Sequence, residues 1–129
     1  MKKPEIIKMV RRCFTMNGRH QISTNAIEIR SDGSIDLPYS ATLRHGVTEL
    51  PFKLNYVGNF NAINCGLTNL STTPETCRIC WIGGNPLTSL EGGPELVKQQ
   101  FSVGSCNLTS LEHGPGMEPS GWYGCEHNQ

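Results

Sequence analysis

Leu67-Thr68-Asn69-Leu70, Leu87-Thr88-Ser89-Leu90 and Leu108-Thr109-Ser110-Leu111 are near-copies of one phrase. The leading leucines lie 20 and then 21 residues apart. Each copy extends backwards. Phe60, Cys80 and Phe101 stand seven residues before the leading leucine, Ala62, Ile82 and Val103 two residues later, and Cys65, Asn85 and Cys106 three beyond those. A fixed period this short is that of a solenoid, in which each coil buries its apolar side only against its neighbours. Alternation at period 2 marks a short strand in every coil, with one set of side chains inward and the intervening set outward. The Asn or Cys falls where the chain bends, and its side chain can bond backbone groups that the bend leaves unpaired.

Two degraded copies flank the clear ones. Ser40-x-Thr42-x-x-His45-x-Val47-x-x-Leu50 keeps the frame upstream, and Trp122-x-Gly124-x-x-His127 keeps it downstream. The back half of each coil is turn chemistry: Pro74, Pro94 and Pro115 recur, as do the apolar Val57, Cys77 and Val97. These features predict a mostly β, short-period solenoid of three full and two partial coils over residues 40–129. Residues 1–39 are expected to cap it. Pro4 to Phe14 carries Ile6, Ile7, Met9, Val10, Cys13 and Phe14 at helical spacing, with Pro4 suited to an early helical position. Ala26-Ile27-Glu28-Ile29 and Ser34-Ile35-Asp36-Leu37 flank Ser31-Asp32-Gly33, which reads as a hairpin turn.

The repeat unit resembles the leucine-rich repeat. Together with Ile29-Arg30-Ser31-Asp32-Gly33-Ser34-Ile35-Asp36 and Val47-Thr48-Glu49-Leu50-Pro51-Phe52-Lys53, the Leu-Thr-Ser-Leu-Glu-Gly-Gly-Pro phrase is similar to small repeat proteins encoded by tailed bacteriophages, over residues 29–129. The resemblance implies a fold and a phage origin. It also implies a non-enzymatic module that binds and modulates a host bacterial protein, including a host defence component, in the host cytoplasm.

The residues themselves offer little chemistry. Cys77-Arg78-Ile79-Cys80 has the spacing of half a zinc site, but both cysteines align with inward apolar positions and no second pair exists. Cys65 and Cys106 are two coils apart, about 10 Å at the strand spacing, too far for a disulfide. Cys13 and Cys125 are expected to be the accessible thiols. His45 and His127 fall at the turn position, and no nucleophile grouping, phosphate loop or paired-carboxylate motif is readable. We expect no enzyme activity, no cofactor and no metal. No apolar run approaches membrane-spanning length, and Glu5, Lys8, Arg11 and Arg12 interrupt any secretory signal.

The net charge is zero, yet Lys2, Lys3, Lys8, Arg11, Arg12 and Arg19 against Glu5 give residues 1–20 a charge of +5, leaving −5 for the rest. A basic helix of this kind opens an alternative reading as a nucleic-acid-associated factor, although no aromatics interleave with the charges. Taken at face value, the alternation places Ala41 and Leu43, Asn61 and Ile63, Trp81 and Gly83, Ser102 and Gly104, and Tyr123 and Cys125 on the outer face. Leu43, Ile63, Trp81 and Tyr123 are apolar where a solvated sheet carries polar groups. The expected protein-binding strip is therefore Leu43, Asn61, Ile63, Trp81, Ser102 and Tyr123, with Trp81 as anchor. An unpaired final strand would also favour a homodimer or a self-assembling structural role.

Overall fold

Pro4 and Glu5 lie in the first turn of α1 (Lys3–Cys13). A missing N–H costs nothing there, and a carboxylate meets the positive end of the helix. Ile7, Val10 and Cys13 form its buried stripe. The helix runs directly into β1 (Phe14–Thr15), which lies antiparallel on β3 (Ile35–Leu43). Between them, β2 (Glu28–Ile29) pairs with the start of β3 as the expected hairpin, turning at Gly33 with φ of 87°. Asp32 tightens that turn by accepting from both the N–H and the hydroxyl of Ser34. Phe14 seals the end of the core, its ring edge-on to Phe60 at 6.1 Å and tilted against Phe52 at 6.5 Å. The computed structural model describes residues 2–126.

From β3 onward the strands stack in parallel as a solenoid of about four turns: β4 (Leu54–Asn61), β5 (Thr76–Trp81), β6 (Leu96–Ser102), then β7 (Gly116–Met117) and β8 (Trp122–Gly124), both on β6. β3 belongs both to the hairpin and to the first rung, so the cap and the solenoid share a strand. Two inward columns run through the stack. One is Leu37, Val57, Cys77, Val97 and Met117; the other is Ala41, Phe60, Cys80, Phe101 and Tyr123.

The corner between those columns varies in length. Two residues separate Val57 from Phe60 and Cys77 from Cys80. Three separate Leu37 from Ala41 and Val97 from Phe101, and five separate Met117 from Tyr123. The extra residues protrude as bulges while the inward positions stay stacked. Pro38 and Tyr39 bulge over Gly58, where a Cβ would strike both of their carbonyl oxygens.

The bulges correct the frame read from the repeat. Counting 20 residues back from Phe60 reaches Ser40, and 21 on from Phe101 reaches Trp122. The bulges shift each count by one. Ala41 and Leu43 therefore point inward, Leu43 at 1 % exposure, rather than onto the outer face. Tyr123 and Cys125 likewise pack against the core, the Tyr123 ring edge-on to Phe101 at 4.9 Å. Ser40, Thr42 and Trp122 take the outward positions instead.

Asn85 does what its turn position predicts. At 1 % exposure, its Oδ1 accepts the N–H groups of Cys65 (2.9 Å) and Leu67 (3.0 Å) of the preceding coil. Its Nδ2 donates to the carbonyls of Ala62 (2.9 Å) and Ile82 (2.7 Å). The Cys65 and Cys106 thiols at the same position donate to the matching carbonyls at longer range, to Leu43 and Ile63 and to Ile82 and Gly104. His45 does not share this role; it is exposed, displaced by the same one-residue shift. His127 lies outside the described residues.

Leu70 and Leu90 pack beneath Gly93 and Gly114 of the following coils. Leu111 is their equivalent in the next copy of the repeat phrase. It is 46 % exposed, because no further coil covers it among the described residues.

Candidate binding face

Register alone builds the outer face. Thr42, Asn61, Trp81, Ser102 and Gly124 occupy one row across five rungs, and Ser40, Asn59, Ile79, Gln100 and Trp122 the next. Successive members of a row lie about 4.8 Å apart, the spacing of hydrogen-bonded strands. Asn61, Trp81 and Ser102 of the expected strip are thus adjacent neighbours. Ile63, two residues beyond Asn61, is 43 % exposed on the same face. Leu43 and Tyr123 leave the strip, for the reason given above.

Trp122 takes the place expected for Tyr123. It is 51 % exposed, and its indole lies across Gly124, where a Cβ would meet three of its ring carbons. A glycine at the end of the Trp81 row therefore makes room for a second tryptophan beside Ser102.

The row ends against a wall that the repeat frame did not show. Met16 and His20 exchange backbone hydrogen bonds of 2.7 and 3.1 Å around a tight turn. Asn17 and Gly18 at its tip have φ of 56° and 78°. Left-handed backbone of this sort suits Asn-Gly, and that dipeptide is the sequence signal that could have revealed it. The turn faces Trp81 across a cleft of 330 Å³, floored by Ser40, Thr42, Asn59 and Asn61. A second hollow continues beyond Thr42 and Asn61 to Arg44, His45 and Ile63.

Two floor amides are held in place. Asn59 Oδ1 accepts from Arg78 Nη2 at 2.6 Å, and Arg78 Nη1 donates to Gln99 at 2.8 Å. Asn61 Oδ1 accepts the Ile63 N–H at 3.1 Å. None of the residues lining the smaller cleft is charged.

Four of the six cysteines are buried. Cys77 and Cys80 are fully buried, and burial followed by contact with Cys77 pushes the Cys80 thiol well above its ordinary range. Cys13, expected to be accessible, is buried on the inner face of the helix, which raises its pKa despite Arg12 and Arg44 nearby. Cys125 is half-buried. Among the described residues no three His, Cys, Asp or Glu side chains gather as a metal site. His20, His45 and His113 are all exposed.

The basic segment is divided in role. Arg11 turns inward, its Nε donating to the Ile22 carbonyl at 2.9 Å and its Nη2 to Thr24 Oγ1 at 3.3 Å, while Lys2, Lys3, Lys8, Arg12 and Arg19 remain exposed. Among the described residues no helix is long and apolar enough to cross a membrane. No family model, curated protein or solved structure matches the chain.

Proposed function

We propose that this chain is a non-enzymatic recognition module whose outer face docks a protein partner, with Trp81 as the central anchor. The observation that carries the reading is the row Asn61, Trp81 and Ser102 on three successive rungs, extended by the indole of Trp122. Tryptophan is among the residues that most often dominate interface energy, and here two sit on a rigid parallel sheet flanked by neutral polar groups. Ile63 and Ile79 add apolar area on the same side. The resemblance of the repeat phrase to phage proteins directs the proposal to a host bacterial protein whose activity is altered by binding, in the host cytoplasm, with interference in a defence system as one form of that effect.

The test is capture from bacterial lysate by wild type, Trp81→Ala and a Thr88→Ala control on an exposed turn of the same solenoid. Any captured partner is then purified and titrated. The expected result is one partner retained by wild type and by the control, with affinity falling about tenfold or more on loss of the indole. Equal retention by Trp81→Ala would remove the anchor, and with it the face.

A further inference from the structure

We propose that the cleft between the Asn17–Gly18 turn and Trp81 is a binding site for a neutral saccharide ring. The proposal goes beyond protein docking and does not rest on it. The cleft has no charged lining residue, and the guanidinium of Arg78 behind its floor is engaged with Asn59 and Gln99, so the lining itself offers an anion no counter-charge. What it offers are hydrogen-bonding groups already set in orientation. The oxygens of Asn59 and Asn61 are taken by Arg78 and by the Ile63 N–H, which fixes both carboxamides and leaves their Nδ2 groups as donors. The hydroxyls of Ser40 and Thr42 stand on the same floor without a partner among the described residues and can donate or accept.

Trp81 lines the cleft opposite the turn. An indole presents a flat apolar face and one N–H, which suits the C–H face of a pyranose whose hydroxyls reach sideways to amides and hydroxyls. The volume of 330 Å³ is at the small end of ligand sites, which begin at about 300 Å³. One or two sugar rings match that volume. The φ values at Asn17 and Gly18 make the opposing lip a tight, pre-shaped turn, so little ordering is needed on binding.

The test uses the full chain carrying Trp122→Phe, leaving Trp81 as the sole indole. Glucose, galactose, mannose, N-acetylglucosamine and their disaccharides are titrated, with indole fluorescence and the side-chain amide resonances of Asn59 and Asn61 as readouts. Glucose 6-phosphate and adenosine serve as an anionic sugar and a nucleoside. At least one neutral sugar is expected to saturate in the millimolar range and to shift both amides. Ser40→Ala and Thr42→Val should each weaken it roughly three- to tenfold, one hydrogen bond apiece. Trp81→Ala, followed by amide shifts alone, should abolish it.

No saturable shift with any neutral sugar would overturn the proposal. So would tighter binding of glucose 6-phosphate or adenosine, or sugar binding that survives Trp81→Ala. Protein capture is read in a separate assay, so either idea can fail without the other.

Discussion

Removing the Asn85 side chain should cost this fold about 4 kcal/mol, a large share of its stability. Asn85→Ala leaves the Leu67 N–H buried without a partner, a loss of about 1–3 kcal/mol. The half-buried Cys65 N–H adds about 1 kcal/mol, and the Ala62 and Ile82 carbonyls together about 1 kcal/mol more. The total of about 4 kcal/mol compares with a whole-domain stability of about 5–15 kcal/mol. Asn85→Cys is the informative partner. A thiol at this position in neighbouring coils still donates to carbonyls, but it restores neither N–H bond. It should therefore lose about 3 kcal/mol, the share of the two N–H bonds. Urea unfolding followed by far-ultraviolet circular dichroism measures both. An Asn85→Ala loss under about 1 kcal/mol would show that water replaces the side chain, contrary to its burial. Equal losses for Ala and Cys would show that the bonds to the Ala62 and Ile82 carbonyls add nothing, and an undiminished stability for Cys would show that the two N–H bonds to Oδ1 carry nothing.

Leu43→Ala and Ile63→Ala test the corrected register. The first should cost about 2–5 kcal/mol as a core truncation and the second under about 0.5 kcal/mol as a surface change, read by urea midpoint. Gly58→Ala should destabilise by about 1–3 kcal/mol or force the Pro38–Tyr39 bulge outward, because the obstructing atoms are backbone carbonyls that cannot rotate away; unchanged thermal stability would contradict the close packing. Burial raises the thiols of Cys13, Cys65 and Cys80 above their ordinary value of 9.0, so above that pH the unfolded chain has released protons that the folded chain keeps. Stability is thus fully present below pH 9 and declines as pH rises through and beyond it; under reductant, a urea midpoint that stays flat or rises to pH 10.5 would refute this.

The solenoid was legible because its inward positions obey strict chemistry. A side chain facing the axis must be apolar, and one at the bend must bond backbone, so Phe60, Cys80, Phe101 and Asn85 announce themselves. The outer face obeys no such rule, and its register depends on the corner lengths. Those corners lie outside the core, where an inserted residue costs little closure entropy and disturbs no inward contact. Pro38-Tyr39 and the residues between Met117 and Tyr123 could therefore lengthen without leaving an apolar signature. A single added residue absorbed as a bulge leaves the inward column stacked but moves a fixed-period count by one, which exchanges inward and outward positions in the sequence reading. That is why Asn61, Trp81 and Ser102, in coils joined by short corners or anchored by Phe101, keep the row that the repeat predicts, while Leu43 and Tyr123 leave it.

The same reasoning explains what replaced them. Once Tyr123 turns inward onto Phe101, Trp122 must point out, and the small Gly124 beside it lets the indole lie flat along the face. The unforeseen wall has a different origin. Asn17 and Gly18 follow β1, an antiparallel strand of two residues, too short for any periodic pattern to mark. Only the dipeptide itself carried the information, through the left-handed backbone that Asn and Gly tolerate. Where a partner or ligand meets this protein thus depends on bulges and one turn that the repeat does not encode. The repeat supplies the rigid rows on which those local features set Trp81, Trp122 and the floor amides.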